Sequence, residues 1–219
     1  MKHSQLIKQR IKAKGGSYFA NDNISEFIDE HDKQELQSEV EERMQEVLEA
    51  LVIDTENDHN TKETAKRVAK MFMQEVFKGR YEGMPKVTEF PNAKHLDEIY
   101  TLGPITIRSA CSHHMVPITG RAWIGILPND RLIGISKFVR LTNWVMGRPQ
   151  IQEESTVQLA DIIEKLIEPK GLAVVVEATH NCMTWRGVKE HDTVMKTSVV
   201  RGFFKENSDA RSEFFRLIK

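Results

Sequence analysis

Residues 109–117 read SACSHHMVP, which places Cys111 two and three positions ahead of His113 and His114. A thiol and two imidazoles at that spacing could hold a metal, pair a nucleophile with its base, or share no chemistry at all. The only other cysteine, Cys182, stands in HNC, two residues after His180. Zinc takes thiolate sulfur and imidazole nitrogen in tetrahedral sites, and a catalytic zinc keeps three protein ligands with one position open to water. Two cysteines and one histidine meet that need. The competing reading makes one cysteine a small buried hydrophobe and the histidines ordinary polar residues, and local spacing alone does not separate the two. Nor does it choose a histidine: Cys111 and His113 share a face in an extended strand, Cys111 and His114 in a helical turn. The histidine left over would stand beside the metal, available for proton transfer, and His180 could act similarly.

Two further groups carry possible chemistry. Lys137 and Arg140 are three apart at the start of a predicted helix opening at Ser136, a natural place for an anion. Arg186, in CMTWRGV, joins them if the two Cys/His segments meet, and Arg67 lies on an amino-terminal helix. Taken singly, each of these cations reads as a solvated surface residue. Gln152 and Glu153 open another helix, where an acidic residue suits the dipole; the sharper reading is a carboxylate that accepts the paired N–H donors of a guanine edge.

These residues need elements to position them. The chain has 219 residues, 40% hydrophobic, enough for one sizeable core and a smaller helical appendage. Lys+Arg 31 against Asp+Glu 32 gives a formal charge of −1, so no global field favours nucleic acid or an anionic membrane, and any anionic ligand needs a local cluster. No apolar run approaches the roughly 18 residues of a membrane span, and MKHSQLIKQRIKAKGG lacks the apolar stretch of a signal peptide. A cytoplasmic location is predicted, where two cysteines serve better as ligands, a catalytic thiol or buried residues than as a structural disulfide.

Residues 1–23 lack sustained periodicity and read as a flexible arm. Residues 24–90 read as a helical subdomain. One amphipathic helix runs from Gln34 to Leu51 with a solvated acidic face; a second starts near Asn60, where N-T-K-E resembles a capping box, and stops at Gly79. Residues 91–219 change period. EIYTLGPITIRSA and RAWIGILP read as strands joined across the Cys/His motif, followed by a helix from Ser136 that Pro149 ends. A helix from Gln152 to Ile167 comes next, with Val157, Leu159, Ile162, Ile163 and Leu166 facing inward. LAVVVEATH and TVMKTSVVRGFF read as two more strands, and SDARSEFFRLIK as a short closing helix.

Six blocks in order, ETAKRVAKMF, SACSHHMVP, IGISKFVR, RPQIQEE, HNCMTWRGV and ARSEFF, resemble GTP cyclohydrolase I from about Asp54 to the carboxyl terminus. The resemblance implies an α+β tunnelling fold, an antiparallel four-stranded sheet in ββααββ order, behind an amino-terminal helical subdomain. It implies homo-oligomers, decamers of two stacked pentamers with active sites at subunit interfaces. It assigns zinc to Cys111, His114 and Cys182, proton transfer to His113 and an assisting role to His180. Ser136, Lys137, Arg140 and Arg186, with Arg67 from a neighbouring subunit, would hold the triphosphate of GTP, and Gln152 and Glu153 would recognise its guanine. The implied reaction opens the imidazole ring, releases formate and yields 7,8-dihydroneopterin triphosphate, the first step towards tetrahydrofolate and other pterins, or towards deazaguanines.

The chain also departs from the family pattern. Ser112 stands where Glu is common, Glu154 where Arg is common and Ala65 where Pro is common, and VKEHDTVMKTS differs from the usual Thr-rich run. Ser112 motivates an alternative, a catalytically impaired, zinc-stabilised GTP-binding homologue with a regulatory role. A third reading, a sister nitrile reductase of deazaguanine synthesis, uses a cysteine nucleophile without catalytic zinc, and the paired Cys/His clusters argue against it.

Overall fold

The structure is a computed structural model describing residues 2–219. One compact unit ends at Gly83 and a second comprises Met84–Lys219. The division falls ahead of the expected boundary at 90/91, since Val87 packs against the core of the second unit.

In the first unit the expected flexible arm instead carries α1 (His3–Ala13). Its Ile7 and Ile11, four apart, bury against Ile24 and Phe27. The Gly/Ser/Asn-rich stretch beyond is fixed by Arg80, whose Nη1 donates to the carbonyls of Phe19 at 2.6 Å and Asp22 at 2.8 Å. Helix α2 (Glu30–Ala50) begins at an Asp29 cap, with a reciprocal capping box to Asp32. Its acidic face is not wholly solvated, because α1 covers Asp32 and Glu39. Arg10 Nη1 donates to Asp32 Oδ2 at 2.5 Å and His3 Nε2 lies 2.6 Å from Asp32 Oδ1, while the backbone and hydroxyl of Ser4 donate to Glu39.

The Arg10 hydrogen bond, opposed by burial, holds the Asp32 carboxyl well below the usual carboxylate range. Such a group adds stability above its unfolded-state value, about 3.9, and loses it as pH falls through the lower folded-state value. Asp32→Ala, which removes the charged hydrogen bonds and half of the capping box, is expected to destabilise the first unit by about 1.5–3 kcal/mol at neutral pH. Thermal melts of variant and wild type should converge only in strong acid; a constant gap down to that pH would refute the electrostatic origin.

Helix α3 (Thr64–Lys70) runs into a π-helical turn, Met71–Val76, and then α4 (Lys78–Tyr81). Its start is Thr64 rather than Asn60. The Asn60 side chain donates to Asp58 at 3.0 Å, and Asp54 accepts from the backbones of Glu56 and Asn57, so these residues close turns instead of capping a helix. Gly79 lies inside α4, where the sequence suggests a stop.

The second unit contains β1 (Glu89–Pro91), β2 (Tyr100–Cys111), β3 (Pro117–Leu127), β4 (Arg131–Ile133), α5 (Ile135–Met146), β5 (Pro149–Gln150), α6 (Gln152–Ile167), β6 (Gly171–His180), α7 (Asn181–Thr184), β7 (Met195–Gly202), α8 (Phe203–Glu206) and α9 (Ser208–Leu217). The main sheet has the order β5-β2-β3-β6-β7, and its four long strands pair antiparallel. The two-residue β5 runs parallel to the end of β2, with Cys111 opposite Gln150. A separate two-stranded ribbon joins β1 to β4.

One sheet face, with Ile107, Ile124, Ile126, Val174 and Val176, packs against Phe138, Leu141 and Val145 of α5 and Leu159 and Ile163 of α6. The other face places Ala173 and Val175 against Phe204 and Phe214 of α8 and α9. Burial on both faces explains why β6 reads as a continuous apolar run rather than an alternating one. Gly125 allows that second layer to close: a Cβ there would meet the Phe214 ring at 2.4 Å. Two local expectations change. Val157 is 43% exposed, lying off the buried stripe of Ser155, Leu159, Ile163 and Ile167. Gly134, not Ser136, occupies the cap position of α5, so Ser136 sits in its first turn. Among the described residues no helix is long and apolar enough to cross a membrane.

Candidate active site

The Cys/His motif lies at one end of the sheet. Strand β2 extends to Cys111 and β3 begins at Pro117, so only residues 112–116 connect them. Met115 N donates to Cys111 O and Cys111 N to Val116 O, both at 2.8 Å, and Met115 takes a left-handed φ of 55°. The chain therefore turns back on itself after Cys111. Ser112 N donates to Gln150 O at 3.0 Å, which ties the turn to β5.

Strand β6 runs beside β3 with His180 opposite Ile118, so its end delivers α7 and Cys182 to the same end of the sheet. The ligand atoms of Cys111, His114 and Cys182 all lie within 4.8 Å of one another. The turn thus brings His114, not His113, back to the two thiols.

The set suits zinc. Bonds of about 2.0–2.3 Å place tetrahedral ligand atoms roughly 3.3–3.8 Å apart, so only a small closing movement is needed, and three ligands leave one position open. Cys111 is buried and Cys182 half-buried. Burial first, and then the adjacent Cys111 thiol, push the Cys182 thiol up; a divalent cation between them would reverse this by stabilising both thiolates. Arg186 Nη1 lies 2.8 Å from His114 Nε2, and since a guanidinium only donates, His114 Nε2 is the acceptor. While that bond holds, the neutral ring carries its proton on Nδ1 and the guanidinium occupies the Nε2 lone pair, so Arg186 must move aside before His114 can bind a metal.

His113 is exposed, its ring edge-on to that of His114 with centroids 6.4 Å apart. His180 is half-buried, its Nε2 2.7 Å from Gln152 Oε1. Burial lowers the His180 pKa and Glu153, exposed in the first turn of α6, opposes that. Gln152 itself is buried, and its Nε2 donates to Val176 O, Met195 O and Thr197 Oγ1 at 3.1–3.2 Å. Thr197 and its partner Thr156, with hydroxyls 2.8 Å apart, were not marked by any sequence signal, because their place follows from the contact of α6 with β7.

The remaining expected residues are placed less tightly. Ser136 and Arg140 are exposed on α5, and Lys137 Nζ donates to Lys86 O at 3.0 Å. Arg67, on α3 of the first unit, donates to Asn60 O at 2.8 Å and to Thr64 Oγ1 at 3.2 Å. The structure therefore unites Cys111, His114, Cys182 and Arg186 in one group and Gln152 with His180 in another.

The family model and the curated relatives agree with one another. The family model described as GTP cyclohydrolase I matches residues 40–219. The GTP cyclohydrolase 1 of Vibrio vulnificus (strain YJ016) is 34% identical over 212 residues, covering 96% of this chain and 94% of that protein. The GTP cyclohydrolase 1 of Aliivibrio salmonicida (strain LFI1238) is 36% identical over 188 residues, covering 85% and 86%. Among solved structures, an archaeosine synthase, QueF-Like, in its apo form aligns at 14% identity with a TM-score of 0.39, covering 49% of this chain and 94% of that one.

Proposed function

The chain belongs to the GTP cyclohydrolase I family, and from that premise we propose that it is a zinc-dependent hydrolase that opens the imidazole ring of GTP, releases formate and rearranges the ribose to give 7,8-dihydroneopterin triphosphate. The observation that carries the proposal is the convergence of Cys111, His114 and Cys182 from two strand ends within 4.8 Å. When bound there, zinc supplies the Lewis acidity that activates water for attack on an electrophilic carbon, here C8 of the guanine.

The chain's own residues do the rest. His113, beside the metal group but outside it, protonates the ring nitrogen that leaves C8, so the ring opens to a formamide whose hydrolysis releases formate. His180, held at the end of β6, assists proton movement in the ribose rearrangement and the reclosure on the freed amines. One water is consumed, net, per formate released. The triphosphate is a handle for binding, held by Ser136, Lys137, Arg140 and Arg186, with Arg67 supplied by a neighbouring subunit. Glu153, exposed at the start of α6, accepts the paired N–H donors of the guanine edge.

We assign the tunnelling fold in ββααββ order and a cytoplasmic decamer of two pentamers, feeding pterin and tetrahydrofolate or deazaguanine synthesis. Two open sheet edges support the assembly. Strand β7 ends the sheet, and β5 covers only Ala110 and Cys111 of β2, so both edges can pair with neighbouring copies.

Incubating purified protein with zinc and GTP should yield formate and, after oxidation, a fluorescent pterin. Finding neither product would end the proposal. GTP binding without product would favour instead the zinc-stabilised regulatory homologue that Ser112 suggests, and Ser112→Glu should then restore turnover.

A further inference from the structure

We propose that Gln152 is a positioning residue that fixes the ring of His180 and decides which of its nitrogens carries the proton; this rests on the reaction proposed above. The amide has two N–H donors and one oxygen. Its Nε2 faces three acceptors, the carbonyls of Val176 and Met195 and the hydroxyl of Thr197, at 3.2, 3.1 and 3.2 Å. Exchanging the nitrogen and oxygen would set Oε1 against two carbonyl oxygens, so the neighbours dictate the orientation. The oxygen is thereby turned to His180 Nε2 at 2.7 Å. An amide oxygen can only accept, so His180 Nε2 must be the donor. Whatever the charge of the ring, a proton stays on Nε2, and in the neutral ring Nδ1 carries the lone pair.

The clamp is built from three elements. Gln152 opens α6, Val176 belongs to β6, and Met195 and Thr197 belong to β7. The Thr197 hydroxyl meets that of Thr156, which donates to Gln152 O at 2.7 Å, so the backbone of Gln152 is tied into the same ring of bonds as its side chain. At 3% exposure, with both donor hydrogens engaged, Gln152 has nothing to offer the O6 acceptor of a guanine. The role in guanine recognition expected for it from the resemblance therefore passes to Glu153 alone.

The test uses the zinc-loaded full chain. In Gln152→Leu, kcat for GTP is expected to fall about 10- to 100-fold, the size of effect seen when the partner orienting a functional imidazole is removed, with KM within about threefold of wild type. In a His180→Ala background the same substitution should lower kcat by less than about twofold, because the clamp has nothing left to orient. Gln152→Glu keeps an acceptor oxygen for His180 but sets its second oxygen against the carbonyls of Val176 and Met195, so its turnover should lie between that of Gln152→Leu and that of wild type. A raised KM with unchanged kcat, or fully additive losses in the double variant, would overturn the proposal.

A second readout does not depend on turnover. Imidazole 15N spectra, with His180 assigned by its loss in His180→Ala, should show the Nε2–H tautomer in wild type and in Gln152→Glu, and a mixture in Gln152→Leu. Wild type lacking GTP turnover but showing this pattern would reject the reaction while keeping the clamp. A mixture in wild type would reject the clamp, even if Gln152→Leu failed to fold.

Discussion

Cys182→Ala is expected to remove bound zinc and GTP turnover together. The proposed site has three protein ligands, so losing one thiolate leaves Cys111 and His114, too few to hold the ion against dilution or chelation. Zinc lowers the pKa of water it binds from about 15.7 to about 7, so turnover should fall below detection rather than by a modest factor. The substitution should spare the fold. Cys182 is half-buried on the short α7 and only flanks a core whose centre is Ile124, Phe138 and Ile163. Elemental analysis should therefore find background zinc in a protein with near-wild-type secondary structure. Stoichiometric zinc in this variant would show that the third ligand is another residue.

What the sequence could and could not reveal follows the physics of each element. Strand β3 was legible because Ala122, Ile124 and Ile126 alternate and are fully buried, and β6 because both of its faces are covered. Helix α1 was not, since just two of its side chains, Ile7 and Ile11, are buried and much of its anchorage is polar, Arg10 and His3 to Asp32 and Ser4 to Glu39. Periodicity is blind to a helix docked by charge. At the site, the pairing of Cys111 with Cys182 was visible as two Cys/His clusters. The choice of His114 depends on a five-residue turn with a left-handed Met115, which no residue type in SACSHHMVP announces. The surroundings of Gln152 were hidden for a similar reason: a helix start is local, but the carbonyls that saturate its amide come from β6 and β7.

His113→Ala separates the chemistry from the metal. The turn that carries His114 to the thiols leaves His113 exposed, edge-on to its neighbour and outside the metal group. Zinc content should accordingly stay near that of wild type, because no ligand is lost. Turnover should fall about 10²–10⁴-fold, the usual contribution of a positioned proton donor. Metal-assisted attack on C8 remains possible in this variant, but the departing ring nitrogen must find its proton in solvent. Added imidazole, small enough to occupy the vacated space, should restore part of the rate. The pairing of this variant with Cys182→Ala is what gives the comparison its force, since one loses metal and rate together and the other loses rate alone. Equal metal loss in both would mean that His113 is the ligand and His114 the acid, and the turn at residues 112–116 would then have to open before zinc binds.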